Sequence, residues 1–175
     1  RKNLTAANIV NDYSVNKLRE ILYSYGELNN SNKIAMEIEH ARTKEKIRTT
    51  KQLQEATLSC APKGLENKFY AKLFQALRIE VNDELGSLKE LLNQSVDLLK
   101  SGGRLVIISY HSLEDRLVKN FLKAGNFEGE IIKDFYGNPQ SKFKLINRKP
   151  IVPGEEEINR NNRARSAKLR IAEKI

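Results

Sequence analysis

The chain has 175 residues, which suffices for one domain with a hydrophobic core or for a piece of a larger one. Its 31 lysine and arginine residues exceed its 22 acidic residues and give a net charge of +9, which favours a polyanionic partner such as a nucleic acid. The single cysteine excludes an internal disulfide, and neither a run of about 18 apolar residues nor a signal peptide is found, so we expect a cytoplasmic protein with no membrane partner.

Residues 1–65 are predicted to form a small all-α subdomain. Apolar residues recur there at helical spacing, as in Leu18, Ile21 and Leu22, and the alternation typical of a strand does not occur. Each predicted helix begins at a residue that can cap it: Thr5, Ser14, Ser31, and Thr49 or Thr50. A proline and a glycine, Pro62 and Gly64, end the last of these helices.

Two longer helices are predicted next, over residues 66–81 and 83–99. Gln75, Arg78 and Asn82 lie at positions i, i+3 and i+7 of the first helix and form a polar stripe on one face. Such a stripe is either an ordinary solvated face or a face that lines a cofactor cleft or contacts a nucleic acid. The spacing alone leaves both interpretations open.

Residues 101–123 read S-G-G-R-L-V-I-I-S-Y-H-S-L-E-D-R-L-V-K-N-F-L-K and predict a strand, a short loop and a helix. The apolar run at residues 105–108 is typical of a strand covered on both faces, as in a parallel sheet between helix layers. Ser112 is a good N-cap residue, and Asp115 would complete a capping box with it. In open α/β sheets the chemistry gathers beyond the carboxyl ends of the strands, which is where His111 lies.

The remainder of the chain is predicted to be largely extended. Residues 130–136 and 142–146 have strand-like composition, and G-N-P at 137–139 predicts the turn of a hairpin between them. Residues 155–161 are predicted to form one or two helical turns. Residues 166–172 alternate basic and apolar side chains, which predicts a final strand with one apolar face.

Four of these segments together resemble one enzyme family. G-G-R-L-V-I-I-S-Y-H-S-L-E-D-R at residues 102–116 resembles the signature of the bacterial MraW-type small-subunit rRNA (cytosine-N4)-methyltransferases. Three further segments agree in the expected order: L-T-A-A-N-I-V-N-D-Y-S at 4–14, F-Q-A-L-R-I-E-V-N-D-E-L at 74–85, and R-K-P-I-V-P followed by R-A-R-S-A-K-L-R-I-A-E-K within 148–174. The resemblance therefore covers nearly the whole chain.

The resemblance implies an α/β fold, the C-terminal part of a Rossmann-like class I methyltransferase sheet with an all-α insertion subdomain. It assigns residues 1–65 to the insertion and residues 66–175 to the last three strands of the sheet, with the N-terminal cofactor-binding part absent. The implied activity is S-adenosyl-L-methionine (AdoMet)-dependent methylation of N4 of a cytidine in 16S rRNA. The implied partner is small-subunit rRNA or the 30S ribosomal particle, and this fragment alone is expected to be inactive.

No residue of the chain can be matched to the cofactor. Methyl-donor pockets of this fold use a glycine-rich turn after the first strand, and no G-x-G occurs anywhere in the sequence. The AdoMet-binding residues therefore stay unknown, and the isolated chain is expected to bind AdoMet weakly or not at all. We predict no metal site, because two histidines and one cysteine are too few and too scattered.

His111 is the candidate for the chemistry. The exocyclic amine of cytosine is a poor nucleophile, so methyl transfer needs an acceptor for one amine proton and an in-line approach. A histidine at a strand end can hold the edge of the base or accept that proton; alternatively, its ring is packed at the top of the sheet and satisfied by the backbone. The resemblance favours the pocket wall or a base contact for His111, and a cleft-facing position for Gln75, Arg78 and Asn82.

Arg163, Arg165 and Lys168 belong to the densest basic region and would contact the RNA backbone. For each of them the alternative is an ordinary solvated surface charge. The alternative for the whole chain is a non-catalytic basic module that binds RNA or serves in ribosome assembly. The sequence leaves open which cytidine is modified, how the RNA docks, whether a homodimer forms, and why the N-terminal part is missing.

Overall fold

A computed structural model describes residues 4–136 and 141–175. The chain forms two compact units, Arg1–Glu84 and Leu85–Ile175. The first is built from helices, and the second combines helices with a three-stranded sheet. Among the described residues, no helix is both long enough and apolar enough to cross a membrane.

The first unit is a helical unit in which the predicted helices are confirmed. The elements are α1 (Ala6–Asp12), α2 (Val15–Ser24), α3 (Ser31–Lys44), α4 (Thr50–Thr57), a 3₁₀ turn (Leu58–Cys60) and α5 (Glu66–Asn82). Thr5, Ser14 and Thr49 are N-caps whose side-chain oxygens accept hydrogen bonds from backbone amides in the first turn. Ser31 is the first helical residue rather than the cap, which is Asn30.

Helix α5 packs into the same core as the four helices before it. Phe69, Leu73 and Leu77 are buried together with residues of those helices, and burial of each such side chain stabilises the fold by about 1.5–3 kcal/mol. For this reason the compact unit extends to Glu84, whereas the sequence predicts a domain boundary at residue 65. The assignment of residues 66–84 to the methyltransferase domain of the whole protein therefore remains a prediction.

The second unit begins within a helix and ends with a strand. Its elements are α6 (Glu84–Leu98), β1 (Arg104–Ser109), α7 (Ser112–Ala124), β2 (Phe143–Leu145), α8 (Glu155–Arg160), a 3₁₀ turn (Asn162–Ser166) and β3 (Lys168–Lys174). The strand, loop and helix predicted over residues 101–123 are confirmed as β1 and α7. Helix α7 ends at Gly125, whose positive φ of 78° suits a glycine cap.

The sheet has the order β1-β3-β2, and β3 runs antiparallel to both neighbours. The register pairs Val106 with Ile171, and Ile107 with Arg170. Within the described residues β1 therefore has only an antiparallel partner, and the parallel pairing that its apolar run suggested does not occur there. The final strand predicted near residues 166–172 is confirmed as β3, and it is the central strand of the three.

Only one face of the sheet is covered by the described residues. Leu92 of α6, Leu122 of α7 and Ala172 of β3 are fully buried in one core on that face. On the opposite face Val106 and Ile108 are 54% and 52% exposed. The prediction that β1 is covered on both faces is thus wrong for the described chain, because α6 and α7 both contribute to the core on the same side.

Of the two strands of the hairpin predicted after α7, only the second is found among the described residues. Residues 130–136 contain no strand of the sheet, whereas β2 occupies part of the predicted second strand. The side chain of Asn126 accepts two backbone hydrogen bonds and turns the chain just after α7. Strand β2 pairs with β3, and Phe143 at its start is buried in the core, with 6.2 Å between its ring centroid and that of Phe121. The predicted turn at 137–139 lies outside the described residues.

Candidate functional site

The candidate site lies where β1 ends and α7 begins, at the two-residue link formed by Tyr110 and His111. Ser109, the last residue of β1, is buried and donates a hydrogen bond to the carbonyl of Lys168 at 3.4 Å. This bond ties the end of β1 to β3. A helix N-terminus presents amide groups without intrahelical acceptors and favours acidic or accepting side chains beside it. The link is therefore a natural position for polar groups.

His111 is the N-cap of α7. Its Nδ1 accepts a hydrogen bond from the Glu114 amide at 3.4 Å, and Glu114 Oε2 accepts from the amides of Tyr110 and His111 at 2.9 and 3.3 Å. The prediction of Ser112 as the cap, with Asp115 as its partner, is wrong by one residue. The backbone of His111 is extended, with φ −135° and ψ 163°, so the helix begins only at Ser112.

The capping contact determines which nitrogen of His111 carries a proton. A ring nitrogen that accepts a hydrogen bond is unprotonated, so the neutral imidazole carries its proton on Nε2. Nε2 lies 3.4 Å from Glu114 Oε1, and the side chain of His111 is 12% exposed. His111 can therefore donate through Nε2 while it caps the helix through Nδ1, and Glu114 is the neighbouring proton acceptor.

A buried ion cluster lies in the same helical turn. Asp115 accepts two hydrogen bonds from Arg170, at 2.6 Å between Oδ1 and Nε and at 3.2 Å between Oδ2 and Nη2. Lys168 Nζ lies 3.3 Å from Asp115 Oδ2. Burial by itself would raise the pKa of Asp115, but the hydrogen bonds and charges of Arg170 and Lys168 outweigh it and hold that pKa below its usual range.

The sequence did not predict this cluster. The alternation at 166–172 predicts an apolar face formed by Leu169 and Ile171, yet both residues are only half-buried and Arg170 is 5% exposed. The covered face of β3 is therefore the one that carries the arginine. An acidic residue in the first turn of α7 and an arginine within a strand pattern were the available signals. Neither signal shows that these two residues form an ion pair with each other, because that depends on the register of β3 against β1.

The predicted polar stripe on α5 is divided between two roles. Gln75 Nε2 donates to the carbonyl of Tyr25 at 2.9 Å and joins α5 to the end of α2. Arg78 forms two hydrogen bonds with the carboxylate of Glu84, at 2.9 and 3.2 Å, and Asn82 donates to the same carboxylate at 3.1 Å. The structure therefore brings Arg78 and Asn82 together and leaves Gln75 in a separate contact.

Arg78 and Asn82 also line a cavity of about 320 Å³ within the helical unit. Its walls are mainly apolar and include Phe74, Leu77 and Val81 of α5. An apolar cavity with a few polar groups at its rim is the usual form of a small-ligand site. Arg78 and Asn82 therefore border this cavity while their side chains are hydrogen-bonded to Glu84.

The basic residues predicted to contact RNA are also divided. Arg163 and Arg165 lie in the 3₁₀ turn before β3 and are exposed, on either side of the buried Ala164. Lys168 is different, because its amine is bound to Asp115 and its side chain is 41% exposed. The structure therefore presents the two arginines together at the surface and holds the lysine in the ion cluster.

The described residues define an α/β protein with a polar site at a strand–helix junction. The model of the MraW methylase family matches residues 1–175. The chain therefore belongs to the MraW methylase family, as the resemblance of residues 102–116 and of the three other segments implied.

Curated relatives agree over almost the whole chain. A protein of Amoebophilus asiaticus named ribosomal RNA small subunit methyltransferase H is 58% identical over 171 residues, which are 98% of this chain and 55% of that protein. The proteins of the same name from Parabacteroides distasonis and Bacteroides fragilis are each 55% identical, over 100% and 99% of this chain. The chain spans 57% of the length of each of these two relatives.

Proposed function

We propose that the protein to which this chain belongs is an AdoMet-dependent methyltransferase that methylates N4 of a cytidine in 16S rRNA. The observation that carries the proposal is the family match over residues 1–175. The relatives at 58% and 55% identity carry a name that states methylation of small-subunit rRNA. The partner would be small-subunit rRNA or the 30S particle, and the net charge of +9 suits such a polyanion.

We propose further that the three strands are the last strands of a larger, Rossmann-like sheet. Among the described residues β1 pairs through one edge only, with β3. Val106 and Ile108 also expose apolar surface on the uncovered face. Natural proteins cover or pair apolar strand edges, because bare edges invite association. In the whole protein, further strands would pair with β1 and further helices would cover Val106 and Ile108, with the helical unit as an insertion.

His111 would contact the target base. Cytosine carries one hydrogen-bond acceptor, N3, beside its exocyclic amine. The Nε2–H of His111, which is buried in this structure, would donate to N3 after a side-chain movement that exposes it. Such a bond would hold the base in line with the methyl donor, which is the larger requirement for a weak nucleophile. The carboxylate of Glu114, 3.4 Å from Nε2, would take up the amine proton that is released as the N–C bond forms and the bond between the methyl group and the donor sulfur breaks.

The RNA backbone would be held mainly by Arg163 and Arg165. Both are exposed in one short turn, and guanidinium groups suit bidentate phosphate contacts. Lys168 would contribute charge rather than direct contact, because Asp115 engages its amine. In the helical unit, Arg78 and Asn82 would face the cavity that they line.

The methyl group would come from AdoMet, but the residues present do not fit a cofactor cradle. Gly102 and Gly103 form the one adjacent glycine pair in the sequence. Gly102 has a φ of +80°, and the Gly103 amide donates to the Lys100 carbonyl at 2.9 Å. This pair makes the tight turn between α6 and β1 and does not precede a helix. We therefore assign no residue of this chain to AdoMet.

The proposal is tested with the full-length protein, labelled AdoMet and 30S particles that lack the modification. We expect the label at N4 of one cytidine in 16S rRNA, located by mass spectrometry of nuclease fragments. Tight RNA binding without methyl transfer would favour the alternative, a non-catalytic module for RNA binding or ribosome assembly. Methylation at a different atom or in a different RNA would contradict the proposal.

A further inference from the structure

We infer that Asp115 and Arg170 are positioning residues for His111, because their buried ion pair fixes the first turn of α7 on the sheet. The inference rests on the proposed function where it concerns methyl transfer, since a base contact by His111 is itself proposed. The geometric part concerns only where the imidazole lies. That part holds or fails independently of any activity.

The ion pair joins the elements whose ends carry His111. Asp115 lies in the first turn of α7, and its amide donates to the carbonyl of His111 at 3.1 Å. Arg170 lies in β3 directly opposite Ile107 of β1, and Lys168 lies opposite Ser109, the last residue of that strand. The carboxylate of Asp115 therefore connects the start of the helix to two positions of β3 that lie beside the last residues of β1.

The apolar contacts of α7 cannot do this alone. Val118 and Leu122 are buried in the core and hold the helix against the sheet, but hydrophobic contact is non-directional and tolerates small slides and rotations. The two hydrogen bonds between Asp115 and Arg170 are charge-assisted and parallel, and such a pair adds geometric specificity. The ion pair is therefore suited to fix the position of α7 along the sheet.

Stability is a weaker explanation for the same pair. Asp115 and Arg170 are 8% and 5% exposed, and two charges lose most of their hydration at such sites. Replacement of a buried ion pair by apolar residues is often neutral or stabilising. The pair lies one helical turn from the proposed base contact, where small displacements affect the rate strongly. Positioning accounts for both its burial and its location.

The kinetic test uses Asp115→Asn and Arg170→Lys in the full-length protein. We expect kcat to fall about tenfold or more, as for a misplaced reacting group, with KM for AdoMet and RNA affinity unchanged. The matched control is Arg104→Ala, which removes an exposed ion pair between Arg104 and Glu173 (3.5 Å) on the same sheet. This control should leave kcat unchanged.

A double-mutant cycle separates positioning from a general structural effect. If Asp115 acts through His111, Asp115→Asn should cause little further loss of kcat in a His111→Ala background. The same fold-loss in both backgrounds would overturn the inference. Should Asp115→Asn fail to fold, Asp115→Asn combined with Arg170→Gln removes both charges and serves in its place.

A spectroscopic test does not depend on activity. Nitrogen NMR of the imidazole groups reports the tautomer of His111, and His40 in α3 provides an internal reference. Asp115→Asn should shift the His111 nitrogen signals and leave those of His40 in place. Unchanged His111 signals would contradict positioning even if the enzyme is active. An inactive wild-type protein with shifted His111 signals would instead disprove only the proposed function.

Discussion

The carboxylate of Asp115 accepts two hydrogen bonds from Arg170, a residue 55 positions later in the chain, with 2.6 Å between Oδ1 and Nε. Both side chains are buried. Lys168, at 3.3 Å from the same carboxylate, supplies a second positive charge. A carboxylate in this position is ionised in the folded protein, so its protonation is linked to folding.

We predict that acid weakens the fold through Asp115. Its pKa is lowered in the folded state, so its contribution to stability is present above the unfolded pKa of about 3.9 and is lost as pH falls through the folded pKa. The difference in free energy of unfolding between wild type and Asp115→Asn should therefore shrink below about pH 4. Urea unfolding at a series of pH values measures it, with the exposed Asp97→Asn as the control. A difference that stays constant across this range would contradict the linkage.

The two roles of His111 can be separated by substitution. His111→Ala should lower the methylation rate at least about tenfold and remove the helix cap, at a cost of about 1 kcal/mol in stability. His111→Asn restores a good capping side chain, so it should recover stability but not the rate. RNA affinity should be nearly unchanged in both variants. Single-turnover rates and thermal melting report the two effects, and His40→Ala serves as the control. Full activity of His111→Ala would exclude the base contact.

If the basic residues before and at the start of β3 contact RNA phosphates, RNA binding should depend on salt through them. Replacing Arg163, Arg165 and Lys168 together by alanine should weaken binding and flatten the slope of log K against log salt by about 0.9 per lost duplex phosphate contact, or about 0.7 in single strands. We expect the two arginines to account for that change. Lys168→Ala alone should chiefly lower stability, because it removes a partner of Asp115. The control is Arg160→Ala, and equal slopes for wild type and the triple variant would reduce the cluster to a solvated surface.

Two residues of the polar stripe on α5 should have different effects, Gln75 on stability and Arg78 on RNA binding. Gln75→Ala should lower the free energy of unfolding by about 1 kcal/mol, because the Tyr25 carbonyl loses its donor. Arg78→Ala removes a surface ion pair worth about 0–1 kcal/mol, and should instead weaken RNA binding. Chemical denaturation measures the stability of both variants, and filter binding measures their RNA affinity. Equal effects of both on RNA affinity would contradict the prediction.

The position of β1 in the whole protein can be tested by hydrogen exchange. If further strands pair with β1, the amides that point away from β3 should exchange as slowly as those that point towards it, because both sets are then hydrogen-bonded. Exchange measured by NMR on the full-length protein distinguishes alternate residues of the strand. Rapid exchange of the outward set would show that β1 is an edge strand.

Much of the secondary structure could be predicted from the sequence because its causes are local. Thr5, Ser14 and Thr49 cap the helices that follow them, and a cap depends only on amides within the next turn. The apolar run of β1 and the helical spacing of α5 are likewise read from neighbouring residues. The family was evident at the same level, since the segment at residues 102–116 is a property of the sequence itself.

Other features depend on contacts between distant segments. His111 and Ser112 are adjacent residues that can each cap a helix, and the choice depends on where β1 ends, which Ser109 fixes through its bond to Lys168. The segment 130–136 is not a strand of the sheet, and its apolar residues Ile131 and Ile132 are exposed, whereas Phe143, further along the chain, is buried in the core.

The sequence by itself determined the helices, the apolar strand and the family, since each is encoded over short stretches of chain. Only the tertiary structure decided that Arg170 is buried against α7 while Leu169 and Ile171 remain half-exposed. The alternation of basic and apolar residues placed Leu169 and Ile171 on the face expected to be covered, but nothing local states which face a helix will cover. The partnership of Asp115 with Arg170 follows from that choice and from the antiparallel register of β1 with β3.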